Sequence, residues 1–216
     1  MKKLWTLIKI FVVIAIVVMG FYFIPTRYLN VESKNQFPNM PNGCEITSLS
    51  MLMKYSGYDV SKEYLNDNFL KKSGFYNTDP EEYYIGNPYK KSGYYSYAKP
   101  IADCANRYFE NLGVSQRAED KTGMSVFGVL NNVIFDKKPV AVWYTIDDKS
   151  PEYGDRYYTN LQGEKLPLYK NLHCVVVEGV GKGKVYIIDP IQGKRSVNFV
   201  QFIKLYYQMG QRAVII

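Results

Sequence analysis

The chain has 216 residues, 47% of them hydrophobic and 16% aromatic, which is enough apolar material for one domain of ordinary size and an appendage. Its net charge is +7, but Lys2, Lys3 and Lys9 lie in the N-terminal segment. The remaining excess is mild and dispersed, with no Lys/Arg run, so a nucleic-acid partner is not expected. Three scattered cysteines (Cys44, Cys104, Cys174), no Cys-x-x-Cys and one histidine argue against a disulfide framework, a structural metal or any other cofactor, leaving a Cys104–Cys174 pair as the one open pairing.

Residues 1–24, MKKLWTLIKIFVVIAIVVMGFYFI, contain an unbroken run from Ile10 to Ile24 of apolar residues, glycine and tyrosine. With Leu4 as its start the segment reaches the roughly 20 residues that cross a bilayer core. The lysines precede it, so that end is expected in the cytoplasm and the rest outside. The bulky residues Phe21 to Ile24 make a poor cleavage site, which favours an uncleaved signal-anchor over a signal peptide. The expected localisation is therefore a single-pass cell-membrane protein, with residues 25–35 as a tether and 36–216 as an extracytoplasmic domain.

Gln36 to Leu52 reads QFPNMPNGCEITSLSML. Pro38, Pro41, Asn42 and Gly43 are turn formers, and Ile46, Leu49, Leu52 and Met53 then recur at helical spacing. Cys44 accordingly falls at a helix start, where backbone N–H groups and the helix dipole favour a thiolate. Ser61 is placed to cap a helix over Lys62 to Leu65. Residues 71–97 carry Gly74, Gly86, Gly93 and two X-Pro steps among tyrosines 76, 83, 84, 89, 94, 95 and 97, and have no sustained period. That pattern predicts a long ordered loop whose tyrosines either pack against the domain or line a substrate groove.

The segment 98–112 predicts a helix ended by Gly113, with Cys104 on its buried side. Residues 123–135 predict another. β-Branched and aromatic runs at 139–146, 172–179, 184–189 and 212–216 predict strands, the second and third joined as a hairpin, with a polar loop over 147–171 and a helix over 198–209 capped by Asn198. Helices first and strands second is an α+β order.

This order permits a specific chemistry. His173 starts the second strand and Asp189 ends the third; placed symmetrically about Gly181, they are expected opposite one another, with Asp189 orienting the imidazole. Cys44 is then the candidate nucleophile, His173 its base, and the Gln36 side-chain amide with the Cys44 N–H the candidate oxyanion donors.

The segment NQ-x-PN-x-PNGCEITSLSMLMKYSGYDVSKEYL, followed by HCVVVEGV and VYIIDP, resembles the double-glycine-peptidase-like group of papain-fold cysteine peptidases, relatives of the bacteriocin-leader-processing domains. The resemblance spans roughly residues 34–216. It implies a papain-like fold, a nucleophile heading the central helix and packed on an antiparallel sheet, with Cys44, His173, Asp189 and Gln36 matching nucleophile, base, orienting acid and oxyanion donor. Unlike the leader peptidases, the sequence carries one N-terminal apolar segment and no transporter domain. The expected function is a membrane-anchored peptidase acting on a peptide or protein substrate through a thioester. The alternatives are acyl transfer or cell-wall amidase chemistry on the same residues, or a surface binding module.

Overall fold

The computed structural model describes residues 25–216 and, before them, residues 4–6, 8, 9, 12, 20, 22 and 23. Most of the expected signal-anchor over 1–24 therefore lies outside the described residues. Among the described residues, no helix is long and apolar enough to cross a membrane.

The elements run β1 (Arg27–Tyr28), α1 (Cys44–Tyr55), α2 (Lys62–Asn68), β2 (Lys72–Ser73), β3 (Tyr84–Ile85), α3 (Ala98–Leu112), β4 (Glu119–Asp120), α4 (Val126–Asn131), β5 (Val140–Thr145), β6 (Tyr153–Thr159) and β7 (Lys165–Tyr169). The chain continues through β8 (Leu172–Gly181), β9 (Lys184–Asp189), β10 (Gly193–Asn198), α5 (Phe199–Gln208) and β11 (Ala213–Ile215). The main sheet has the order β10-β9-β8-β5-β11-β4, with β1 added to β8, and every pair in it is antiparallel.

The period-2 alternation of the central strands feeds two cores, one on each face of the sheet. On β5, Ala141 and Trp143 face α1, α2 and α3, whereas Val140, Val142 and Tyr144 face α4 and α5. On β8, Cys174 and Val176 join the first core, Val175 and Val177 the second. A strand buried on both faces reads as a continuous apolar run, which is why β5 and β8 stand out so clearly in the sequence.

Helix α1 is buried on all sides from Cys44 to Met53, polar Glu45, Thr47, Ser48 and Ser50 included. It is the central helix, enclosed by β8, β5, α2 and α3. The expected caps are present: Ser61 accepts from the Tyr64 N–H, Asn198 from Val200 and Gln201, and Gly113 closes α3 in the left-handed region at φ 69°.

Two expectations change. The tether over 25–35 is partly a piece of the fold: Arg27 and Tyr28 pair with Val180 and Gly179, and Val31 is buried with its N–H on the Glu178 carboxylate at 2.9 Å. Gly179 makes this possible, because a Cβ there would stand 2.4 Å from the Arg27 carbonyl oxygen. The polar loop over 147–171 contains the β6–β7 hairpin. Loop 71–97, by contrast, is ordered as expected, with only the short parallel pair β2–β3 inside it.

Candidate active site

Cys44 is the first residue of α1, directly after the turn that Pro41, Asn42 and Gly43 make. Gly43 is required there: a Cβ would stand 2.5 Å from the Met40 Cβ. The helix docks on β8 through Ser48, whose hydroxyl donates to the Cys174 carbonyl at 3.2 Å. The Cys44 thiol is buried, 7% exposed, and donates to the Glu45 carboxylate at 3.2 Å.

This setting opposes the thiolate that the helix start was expected to favour. Burial, and then the neighbouring Glu45 charge, push the Cys44 thiol well above its ordinary range, against a smaller pull from the Cys174 N–H that faces the sulfur. Glu45 is itself pushed up to about 7 by burial, although the Cys44 thiol and the Ser96 N–H at 3.2 Å both donate to it.

His173 and Asp189 are joined. His173 Nε2 lies 2.7 Å from Asp189 Oδ1, with both side chains almost wholly buried. The register differs from the expected symmetry. The turn between the strands is Lys182–Gly183, since Gly181 pairs with Lys184, and a bulge between Val177 and Gly179 shifts the ladder to Val176↔Ile188. Continued one step, that register sets Asp189 opposite Val175, two residues along β8 from His173 and on the same face. The contact is therefore diagonal across the strands, not directly opposite.

Burial would raise the Asp189 carboxyl. The His173 bond and charge, the Ile191 N–H at 2.8 Å and Arg195 outweigh it and hold the group below the usual carboxylate range. Arg195 reaches Asp189 Oδ2 with Nε and Nη2 at 3.2 and 3.1 Å. With Nε2 engaged, His173 Nδ1 makes no hydrogen bond among the described residues, and none joins the imidazole to the Cys44 sulfur. The sulfur instead lies against the backbone of Cys174, the residue after His173.

Gln36 is held on the same side. Its N–H donates to the Pro190 carbonyl at 2.9 Å, one residue past Asp189, and its own carbonyl accepts from Lys62 Nζ at 3.0 Å. The side-chain amide donates one N–H to the Pro41 carbonyl at 2.9 Å, which leaves its second. Gln36 is 2% exposed. The other two cysteines are buried and free, so the three thiols form no disulfide. Burial pushes Cys104 up to about 12, in keeping with a packing role on α3.

A cleft of about 210 Å³ is lined by Asn42, two residues before Cys44, by Leu172, the residue before His173, and by Tyr94, Tyr95, Ile146 and Tyr169 among others; Cys44 and His173 are not part of its lining. One wall is the tyrosine-rich loop and another the β6–β7 hairpin, stitched together by the Thr159 N–H on the Phe75 carbonyl at 2.8 Å and the Tyr169 N–H on the Tyr95 hydroxyl at 3.2 Å. The loop tyrosines thus divide their roles. Tyr84 is buried in the core, Tyr94 and Tyr95 face the cleft, and Tyr76 is 82% exposed. Among the described residues there is no group of His, Cys, Asp and Glu arranged to hold a metal ion.

Sequence reading passes over Glu45, Arg195 and Asp148. An acid directly after a candidate nucleophile, inside a helix that proves buried all round, is a usable signal. Arg195 has none, because its segment carries no apolar pattern that marks it as a strand.

A cysteine heading a central helix that packs on an antiparallel sheet defines the fold class, an α+β protein with its candidate nucleophile at a helix start. A model of the Peptidase_C39 like family matches residues 28–214, and the chain belongs to that family. It is 31% identical over 201 residues to the uncharacterized protein YvpB of Bacillus subtilis (strain 168), covering 87% of this chain and 75% of YvpB. A crystal structure described as a C39-like peptidase from Bacillus anthracis superposes with a TM-score of 0.75 at 29% identity, covering 88% of this chain and 96% of that one. A double glycine motif protease from an AMS/PCAT transporter, in complex with its leader peptide, shares the fold at a TM-score of 0.50 and 15% identity, over 88% and 91% of the two chains. Family membership supports a cysteine peptidase-like function.

Proposed function

We propose that this chain is a membrane-anchored, extracytoplasmic thiol peptidase in which Cys44 attacks a peptide or amide carbonyl, His173 is the base, Asp189 orients His173, and Gln36 with the Cys44 N–H binds the oxyanion. The observation that carries the reading is the His173 Nε2–Asp189 Oδ1 pair, held at 2.7 Å. It fixes the ring and leaves Nδ1 as the atom able to take a proton. The family supports the peptide substrate class, the cleft reaches Asn42 and Leu172, near Cys44 and His173 along the chain, and a solved protein of the same fold holds a leader peptide.

In the resting arrangement the thiol is protonated and turned to Glu45. Rotation about its Cα–Cβ bond carries the sulfur from Glu45 to the imidazole. The proton passes to Nδ1, and the thiolate adds to the substrate carbonyl while the oxyanion meets the two N–H donors. Collapse expels the amine, which takes the proton from His173, and leaves a thioester that water then hydrolyses. The apolar run from Ile10 to Ile24, with lysines ahead of it, supports the anchor and its orientation.

The test is cleavage of a general peptide library by the full chain and by Cys44→Ala. Loss of cleavage in the variant is the expected result, and equal rates would end the proposal. A labelled amine in the same reaction distinguishes hydrolysis from acyl transfer, since transfer incorporates the label.

A further inference from the structure

Arg195 joins two parts of the molecule that the peptidase reading treats separately. On one side it forks onto Asp189 Oδ2; on the other its Nη1 reaches both carboxylate oxygens of Asp148, at 3.1 and 3.0 Å. The planar guanidinium meets two carboxylates at once, which an ammonium point charge does not reproduce.

Asp148 belongs to the turn Ile146–Asp148 that follows β5. In this turn Asp147 and Asp148 both take positive φ, 57° and 56°. Two successive non-glycine residues in the left-handed region persist only where the surroundings over-determine them. Here Gln192 Nε2 donates to Asp147 Oδ1 at 3.2 Å and Gln201 Nε2 to the Asp148 carbonyl at 2.7 Å, beside the Arg195 fork. Ile146, at the head of the turn, lines the cleft, and its N–H donates to the Asn171 carbonyl at 2.9 Å, two residues before His173.

We propose that Arg195 is a positioning residue for both halves of the site: through Asp189 it sets the imidazole of His173, and through Asp148 it holds the turn that presents Ile146 to the substrate. This rests on the thiol-peptidase reading above. The ionisable groups facing the clamp include His173 from β8, Tyr144 from β5, Asp147 and Asp148 from the turn and Asp189 from β9, and, around the cavity that Arg195 also lines, Glu178 from β8, Tyr186 from β9, Lys194 from β10 and Tyr28 from β1. Asp189 and His173 carry the clamp's influence to the thiol; Asp148 carries it to the cleft.

The two arms separate with two alkylating probes on the full chain, with Cys44→Ala as the blank. Iodoacetamide is small and reports the reactivity of the Cys44 thiol. A Phe-Gly-chloromethyl ketone must also occupy the cleft, so its saturation constant reports binding and its limiting rate reports chemistry. Arg195→Met is expected to lower the iodoacetamide rate and to weaken the saturation constant, each by about 10-fold, the scale of one lost charge-assisted hydrogen bond. It should also displace the pH profile of alkylation. Asp148→Asn is expected to weaken saturation about as much while lowering the iodoacetamide rate by less. Arg195→Lys keeps the charge without the fork and should fall between wild type and Arg195→Met.

Wild-type values for both probes in Arg195→Met overturn the inference. So does an equal loss of both parameters in Asp148→Asn, which would mark the clamp as general scaffolding. If Arg195→Met does not give a wild-type near-UV spectrum, Arg195→Lys and Asp148→Asn decide, and wild-type behaviour in both overturns it. A wild-type Cys44 thiol no more reactive than the blank sinks the peptidase reading itself, and this inference with it.

Discussion

Glu45 is the residue whose chemistry most constrains Cys44. Its carboxylate touches the sulfur, and burial raises it from an ordinary 4.5 to about 7. Between those values the folded chain keeps a proton that the unfolded chain releases, so stability is fullest below the window and falls as pH rises through it. Glu45→Gln should flatten this slope and, above the window, leave the protein more stable by up to about 3 kcal/mol in urea titrations. The same substitution removes the charge beside the thiol, so alkylation of Cys44 near neutral pH should quicken by about 10-fold. A slower reaction would show that Glu45 assists the thiol instead of restraining it.

Asp189 has the opposite sign. Burial alone would raise its carboxyl, but the His173, Ile191 and Arg195 contacts lower it, so its stabilising contribution is present above the ordinary carboxylate range and lost as pH falls. Asp189→Asn should shrink the acid-side loss of stability and, on the proposed function, cut peptide cleavage by about 100-fold or more, since the imidazole loses its fixed orientation. Cys44, His173 and Asp189 are visible in the sequence because each sits at the boundary of a strongly patterned element. Arg195 and Asp148 are not, because their importance lies in what packing sets beside them, and Glu45 shows only as an acid directly after the cysteine, its burial being decided by the fold.

At the level of elements, legibility follows burial. The helix expected over 98–112 is α3 to the residue, and the strand over 184–189 is β9, because both carry an apolar pattern that a core demands. Strands β6 and β10 were missed for the complementary reason. Tyr153–Thr159 has no fully buried residue, and Val197 is the one fully buried position of Gly193–Asn198, so neither leaves a clear period-2 signature. Pairing with a neighbour, not core burial, makes them strands. The segment β1 was missed because the signal for it lies elsewhere, in the glycines of β8. Gly179→Ala should therefore displace β1 and lower stability by about 1–3 kcal/mol by urea denaturation, a steric cost because the added Cβ meets backbone. An unchanged midpoint would mean that β1 contributes nothing to the fold.

Across the whole molecule, the sheet separates two cores, and the candidate site lies where three segments distant in sequence come together: residues 35–45, the ends of β8 and β9, and the turn after β5. Residues 28–214 carry the family match, and β1 starts at Arg27. On the proposed function, a chain lacking residues 1–24 should keep the near-UV spectrum and the alkylation kinetics of the full chain but lose its partition into lipid vesicles. Equal partition of both would remove the anchor from the proposal.

What the sequence by itself determined was the inventory and its order: an α+β chain, a cysteine after a tight turn at a helix start, a lone histidine and an aspartate on adjoining strands. These follow from local rules of backbone preference and periodic burial. Only the tertiary structure decided the electrostatics. It placed Glu45 against the sulfur, brought Asp189 onto the His173 face of the hairpin through a bulge that no local pattern announces, and set Arg195 between Asp189 and Asp148. Burial and charge depend on which atoms stand within a few ångströms, and even for partners as near in sequence as Cys44 and Glu45, or Asp189 and Arg195, that surrounding is set by how the elements pack.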